Sequence, residues 1–375
     1  MRLRLFTVGF AVCGLLFADA ALAMGSAARD ALRGIYDQRP DLQAVFSPDD
    51  WSARDVTAAG DMIDLADWAR RYGWREHPNE LSFFSPDYRE EVPEVAEDYQ
   101  DDLGYPNIGG VKSSRSPRLK PGARFNFNNV TADKVFVVDV ASRDTLLAHG
   151  AEYRHPLASL SKLMTAQVVL DEGVNMWGTR TIQSSDEVGG ARLRVPVGSS
   201  LYVRGLFDAA LVGSANNAAH ALARSTGMSV SEFVEAMNER ADRMRLTSTR
   251  FVDPTGIEVG NVSNAVDIAR MAYDFFDVPE IRRATTTAKA NVAANGKVHS
   301  IKNTNGLLTD PDNGLYVLGG KTGFLYESEW NLVVKMRDYR QKEIIVVVLG
   351  SDTRNWSFRD SSYVARWVWD NYVWG

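Results

Sequence analysis

The pattern of apolar and polar positions changes character near Phe125. Beyond it, short apolar runs alternate with segments whose apolar residues recur every three or four positions. "KVFVVDVASRDTLLAHG" (Lys134 to Gly150) holds two such runs around a polar turn and predicts a hairpin. Helical spacing follows over Ser159–Leu170, which reads as amphipathic, and over Val203–Ala223, Val230–Arg245 and Ala265–Phe276. Then "LYVLGGKTGF", "EWNLVVKM" and "KEIIVVVLGS" predict three strands, the last pair joined by the charged turn "RDYRQ". A final helix, Asp360 to Tyr372, carries Val364, Trp367, Val368 and Tyr372, with Trp367 assigned to packing on the sheet. Strands at both ends with helices between them make this an α/β region: a mainly antiparallel sheet closed by its two ends, with a helical insertion.

Upstream the texture differs. "MRLRLFTVGFAVCGLLFADAALA" has Arg2 and Arg4, an apolar run from Leu5 to Phe17, and then the small-x-small string Ala21-Leu22-Ala23. Residues 1–23 therefore read as a secretory signal, and the run is short for a membrane span. The only cysteine, Cys13, lies inside it. The mature chain is expected to lack cysteine, to be periplasmic or otherwise extracytoplasmic, and to have no stable membrane anchor after cleavage. Cysteine catalysis and thiolate metal sites are excluded. Residues 24–85 read as a helical extension of unassigned role, with Met62, Leu65, Trp68 and Tyr72 as a packing stripe. Residues 86–124 read as a linker, acidic from Asp87 to Asp102 and then basic with Pro117, Pro121 and Gly122. "DPDNG" (Asp310 to Gly314) lacks the later ligands of a calcium loop and reads as a turn. No metal-ligand spacing occurs. A net charge of -6 gives no footprint for nucleic acid.

The candidate chemistry begins at "HPLASLSKLMTAQVVLDEG" (His155 to Gly173). On a helix, Ser159 and Lys162 share a face about one turn apart. Ser159 is either an ordinary helix cap or a nucleophile. A serine needs a base within reach, and no histidine stands in a nucleophile-elbow context. Lys162 can serve as that base only if burial or a neighbouring cation lowers its pKa; Leu160, Leu163 and Met164 supply apolar surroundings. "GGKTGF" offers the second cation, Lys321, with Thr322 and Gly323 on a predicted strand where glycine marks close approach of backbone to a ligand. "SANN" stands between two helical stretches; the Ser214 hydroxyl can relay a proton and the Asn216 amide can hold a carbonyl. Each string alone fits a bland reading: cap, polar loop, solvated strand end. Together S-x-x-K, S-x-N and K-T-G each occur once, in order, after a secretory signal.

In that combination the region from Asn126 to Tyr372 resembles the low-molecular-mass penicillin-binding proteins, the D-alanyl-D-alanine carboxypeptidase and endopeptidase family. "NERADRMRLTSTRFVDPTGI", "VSNAVDIARMA" and "NTNGLL" resemble its flanking stretches. The detail around Pro156–Asp171 and Arg250–Val262 is most similar to the endopeptidase branch. The resemblance implies a β-lactamase/DD-peptidase-like fold with an all-helical subdomain, here over residues 125–375. It implies that Ser159 attacks a D-alanyl carbonyl, that Lys162 is the general base and that Ser214 relays the proton. Asn216 would hold the peptide, and Lys321 with Thr322 the carboxylate. The N–H groups of Ser159 and Phe324 would form the oxyanion hole. The implied partners are peptidoglycan stem peptides, with β-lactams as covalent inhibitors; no metal or organic cofactor is implied. Carboxypeptidase action and a non-catalytic peptidoglycan-binding protein are the alternatives.

The sequence departs from the family pattern at three places. Leu325 stands where the family has Thr, and Glu329 stands where it has Gly, which implies a reshaped rim or lost activity. Asn217 stands where an acidic residue is more usual.

Overall fold

The computed structural model describes residues 116–308 and 314–374. Residues 1–115, on which the expected signal, helical extension and most of the expected linker fall, lie outside them, as do residues 309–313 and 375. In chain order the strands and helices are β1 (Arg118–Leu119), β2 (Lys134–Asp139), β3 (Thr145–His149), β4 (His155–Pro156), α1 (Lys162–Asp171), β5 (Thr179–Thr181) and β6 (Ser200–Tyr202). Next come α2 (Val203–Leu211), α3 (Asn216–Ser225), α4 (Val230–Arg243), β7 (Val262–Ser263), α5 (Ala265–Phe275), α6 (Pro279–Thr286), β8 (Lys289–Ala294) and β9 (Lys297–Lys302). The region closes with β10 (Tyr316–Leu325), β11 (Glu329–Arg337), β12 (Glu343–Ser351), α7 (Arg354–Asn371) and β13 (Tyr372–Val373).

The central sheet has the order β10-β11-β12-β2-β3, with every neighbouring pair antiparallel. The first hairpin and the last three strands thus join in one sheet, and the short β1–β13 pair ties the two ends of the described region together. The apolar runs are continuous because the sheet is buried on both faces. Val135, Val137, Leu332, Val334, Ile344, Val346 and Val348 pack under α7, in one cluster with Val364, Val368 and Trp369. Phe136, Val138, Val333, Ile345, Val347 and Leu349 point the other way, into the core shared with α1 to α5.

Four features differ from the periodicity reading. Helix α1 is buried on nearly every side, from Lys162 to Val169, rather than amphipathic. Its neighbours α2, α3, α4 and α5 enclose it, and its polar Thr165 is satisfied by donating to Pro254 O (2.5 Å). The 203–223 stretch is two helices, because Ser214 takes a left-handed backbone (φ 58°) between them. Helix α7 starts at Arg354, capped by Thr353, whose Oγ1 accepts from Trp356 N (3.2 Å). Its first half buries the polar Ser357, Asp360, Ser361 and Ser362, and Asp360 Oδ2 accepts from Thr131 N, Thr131 Oγ1, Ala132 N and Ser351 Oγ. Polar residues in the core hide the apolar period. Trp369 is buried on the sheet, and Trp367, partly buried, packs against the same sheet cluster as expected, beside Phe125 (ring centroids 5.2 Å apart). The fourth difference is a set of elements without a counterpart in the reading: α6, the β8–β9 hairpin and the short strand pairs β1–β13, β4–β7 and β5–β6. The hairpin turns on Asn295 and Gly296 at φ 51° and 72°, a two-residue turn for which Asn-Gly is a known signal.

Candidate active site

The three strings converge on one cleft between the free edge of β10 and the helical side of the molecule. Ser159 sits in a single turn of 3-10 helix, Ala158–Ser161, immediately before α1. It caps nothing: α1 begins at Lys162 without a side-chain cap. Instead the Lys162 Nζ lies 2.9 Å from Ser159 Oγ, 2.7 Å from Asn216 Oδ1 and 2.5 Å from the Thr255 carbonyl oxygen.

Those neighbours fix what Lys162 can do. The Thr255 carbonyl only accepts. The Asn216 amide is oriented by its Nδ2, which donates to Gly189 O (2.8 Å), so its Oδ1 also accepts. A neutral amine has two hydrogens and one lone pair. Both hydrogens are taken by obligate acceptors, which leaves the lone pair for the Ser159 hydroxyl. Lys162 is 1% exposed, and this burial lowers its pKa to about 7, against a smaller opposing pull from Asp253. A substantial fraction is therefore neutral near neutral pH, the condition for a general base.

Lys321 is also 1% exposed. Burial first, and then the charge of Lys162, lower its pKa well below the ordinary lysine value. Its Nζ donates to Ser214 Oγ (2.8 Å) and Thr322 O (2.9 Å). Ser214 accepts from Lys321 and keeps its own hydrogen to give. Its left-handed backbone turns the chain between α2 and α3, and Asn216 opens α3. Thr322 Oγ1 donates to Thr304 Oγ1 (2.6 Å), and the Thr304 carbonyl accepts from Arg354 Nη2 (2.6 Å). A guanidinium thus stands beside the Thr322 end of the cleft. Gly323 is required by contact: a Cβ there would lie 2.9 Å from Leu157 O and 3.2 Å from Ser159 N. Backbone meets backbone where β10 passes the serine turn. Phe324 is partly exposed at the rim, stacked on Trp330 (centroids 4.4 Å apart) and edge-on to Tyr326 (5.5 Å). Among the described residues no cluster of His, Asp and Glu is arranged to hold a metal ion.

Residues 121–353 match the sequence profile of the family described as D-alanyl-D-alanine carboxypeptidase. The chain belongs to that family. It is a serine-type DD-peptidase. It is similar to the D-alanyl-D-alanine endopeptidase of Haemophilus influenzae, with 32% identity over 232 residues, 61% of this chain and 78% of the relative. The Pseudomonas aeruginosa protein of the same name is 31% identical over 259 residues, 68% of this chain and 82% of the relative. A Bacillus subtilis D-alanyl-D-alanine carboxypeptidase is 30% identical over 203 residues, 52% of this chain and 51% of the relative. The fold is similar to a Streptomyces DD-transpeptidase (TM-score 0.60, 25% identity, 64% of this chain and 98% of that one). It is also similar to a penicillin-binding protein of Listeria monocytogenes in its cefotaxime-bound form (TM-score 0.58, 25% identity, 66% of this chain and 99% of that one).

The sequence reading missed the floor of the DD-peptidase cleft. Asp253 accepts from Thr255 N (2.6 Å), Thr255 Oγ1 (2.6 Å), Gly256 N (2.9 Å), Glu258 N (2.9 Å) and Asn261 Nδ2 (3.0 Å). This closed loop aims the Thr255 carbonyl at Lys162. The signal was the D-P-T-G turn string, but nothing in it says what the turn faces. One departure from the family pattern finds a physical reason. Asn217 is buried, accepts from Leu193 N (2.9 Å) and donates to Leu193 O (3.0 Å) and Glu187 Oε1 (2.9 Å). A carboxylate accepts only and cannot make the last two bonds. From Gly319 the β10–β11 ladder keeps its register to the Leu325–Glu329 pair, and the Leu325 N donates to Ser328 Oγ (3.1 Å). Glu329 holds φ 49°, the left-handed region that glycine fills without cost. Glu329→Gly is therefore expected to stabilise the fold by about 1 kcal/mol, read as a rise in thermal midpoint. A fall in the midpoint would show that the glutamate side chain contributes more than the backbone strain.

Proposed function

We propose that this DD-peptidase is exported by residues 1–23 and cleaves D-alanyl cross-links between peptidoglycan stem peptides, through an acyl-enzyme on Ser159. The peptidase domain is assigned to residues 125–375. The observation that carries this reading is the lone pair of a neutral, buried Lys162 directed at the Ser159 hydroxyl.

Ser159 Oγ attacks the carbonyl of the D-alanyl residue while its proton passes to Lys162 Nζ. The developing oxyanion takes the backbone N–H groups of Ser159 and Phe324, donors of a kind worth about 3–4 kcal/mol each. Collapse breaks the C–N bond, and Ser214 hands the leaving amine a proton that Lys162 replaces. Water then adds to the ester, Lys162 again takes its proton, and the serine is released. Asn216 holds the peptide. Lys321 and Thr322 hold the carboxylate, with Arg354 adding positive charge behind Thr304. β-Lactams acylate the same serine.

Endopeptidase action draws support from the relatives of that name. The carboxypeptidase reading draws support from the family description and the B. subtilis relative. Mass spectrometry of peptidoglycan fragments incubated with the purified protein separates the two. Cross-linked dimers are expected to resolve into monomers. Intact dimers together with pentapeptides that have lost D-alanine would assign the carboxypeptidase reading instead. Product from neither substrate, with no penicillin label, would assign a binding protein.

A further inference from the structure

Behind the serine turn lies a buried titratable group that the chemistry above does not use. His155, in β4, is four residues before Ser159 and 7% exposed. Its Nε2 lies 2.9 Å from the Ser328 carbonyl oxygen and 3.1 Å from Asn331 Oδ1. Its Nδ1 lies 3.2 Å from Lys134 Nζ. A carbonyl only accepts, so Nε2 carries the hydrogen. The Asn331 amide is oriented by its other partners: Oδ1 accepts from Gly350 N (3.1 Å), and Nδ2 donates to Pro156 O (2.9 Å) and, more weakly, Leu157 O (3.4 Å). Nδ1 is left with its lone pair, which accepts from Lys134. The neutral Nε2–H tautomer satisfies all three neighbours at once.

These bonds connect the two walls of the cleft. Pro156 and Leu157 lead directly into the turn that carries Ser159. Ser328 closes the β10–β11 turn, and its hydroxyl accepts from the N–H of Leu325, next to Phe324. The proposed oxyanion donors, Ser159 and Phe324, belong one to each wall. We propose that neutral His155 is a positioning residue that clamps the Ser159 turn to the β10–β11 turn and so sets the spacing of the two oxyanion donors. The inference rests on the acyl-enzyme reading above.

Protonation bears on the Lys134 side of the ring. A second N–H at Nδ1 removes the acceptor for Lys134 and sets two cations 3.2 Å apart. The charged groups facing the ring are Lys134 at the start of β2 and Asp133 just before it. The β10–β11 turn and β11 present the neutral Ser328 and Asn331, and β7 presents the backbone of Ser263. Burial, and after it the Lys134 charge, hold the imidazole below its ordinary 6.5, against the Ser328 and Asn331 bonds and Asp133. The Nε2–H that bonds Ser328 and Asn331 is present in both protonation states, so the clamp itself does not titrate.

The test is the second-order rate of acylation by a fluorescent penicillin, followed from about pH 4.5 to 8. In the wild type, protonation of Lys162 gives a slope approaching one in log rate against pH below about 7. His155→Gln supplies an amide donor for Ser328 and an acceptor for Lys134 without a titrating proton. It is expected to acylate within a few-fold of wild type at pH 8 and to keep the same slope. His155→Ala is expected to lose about 10- to 100-fold at pH 8, in the acylation step and not in the prior binding. A Gln variant that loses as much as the Ala variant, or an Ala variant that acylates at the wild-type rate, overturns the inference. A wild type that takes no label at all sinks the acyl-enzyme reading, and the clamp with it.

Discussion

Lys162→Met is expected to lower acylation by a fluorescent penicillin about 10²- to 10⁴-fold, the range that general-base catalysis supplies. Ser159→Ala is expected to take no label. Methionine fills much of the lysine's volume, so the fold should survive, as circular dichroism and the melting curve would report. The pH profile carries the same argument with a definite sign. The reactive form is the neutral amine. Below the lysine's pKa of about 7 the depletion of that form approaches tenfold per pH unit, so the rate falls as the solution is acidified. On the alkaline side the rate should fall again as Lys321 loses the charge that holds the substrate carboxylate. Burial places that limb well below the ordinary lysine range. A bell-shaped profile is the expected result. A rate that stays level from pH 8 down to 5 would exclude Lys162 as the base.

Gly256→Ala is expected to be the most damaging substitution among residues that touch no reacting atom. The glycine sits at φ 81°, and a Cβ there would lie 1.8 Å from the Ala158 carbonyl oxygen and 3.0 Å from Ser161 Oγ. The left-handed backbone costs an alanine about 1–2 kcal/mol, and forced displacement in a packed interior about 1–3 more. A loss of about 2–5 kcal/mol should appear in denaturant unfolding. The part that moves is the serine turn itself, so acylation should fall even under conditions where the variant remains folded. Wild-type stability and labelling together would mean that the D-P-T-G loop is free to retreat. The bonds that converge on Asp253 argue against such a retreat.

The strands of the central sheet were legible because both faces are buried: "KVFVVD" and "EIIVVVLGS" can be little else. The start of α7 was not, because Ser357, Asp360 and Ser361 are buried polar residues that erase the apolar period. The same limit applied to α1, where Lys162, Thr165 and Gln167 gave an amphipathic look to a helix enclosed on nearly all sides. Local sequence reports which residues are polar. It does not report whether their partners arrive from elsewhere in the chain.

The candidate site divides along the same line. Ser159 and Lys162 are three residues apart, and local backbone geometry alone brings them together, so the sequence by itself determined that pair. It also offered the strings of side chains S-x-N and K-T-G, and set a glutamate at position 329 where the family has glycine; the left-handed backbone there came from the structure. Only the tertiary structure decided that Asn216 and the Thr255 carbonyl, 54 and 93 residues away, occupy both hydrogens of the amine and turn its lone pair toward the serine. The lowered pKa has the same origin. Desolvation depends on how completely the surrounding helices exclude water, and a lysine flanked by leucine and methionine in sequence acquires it only when the rest of the chain closes around it.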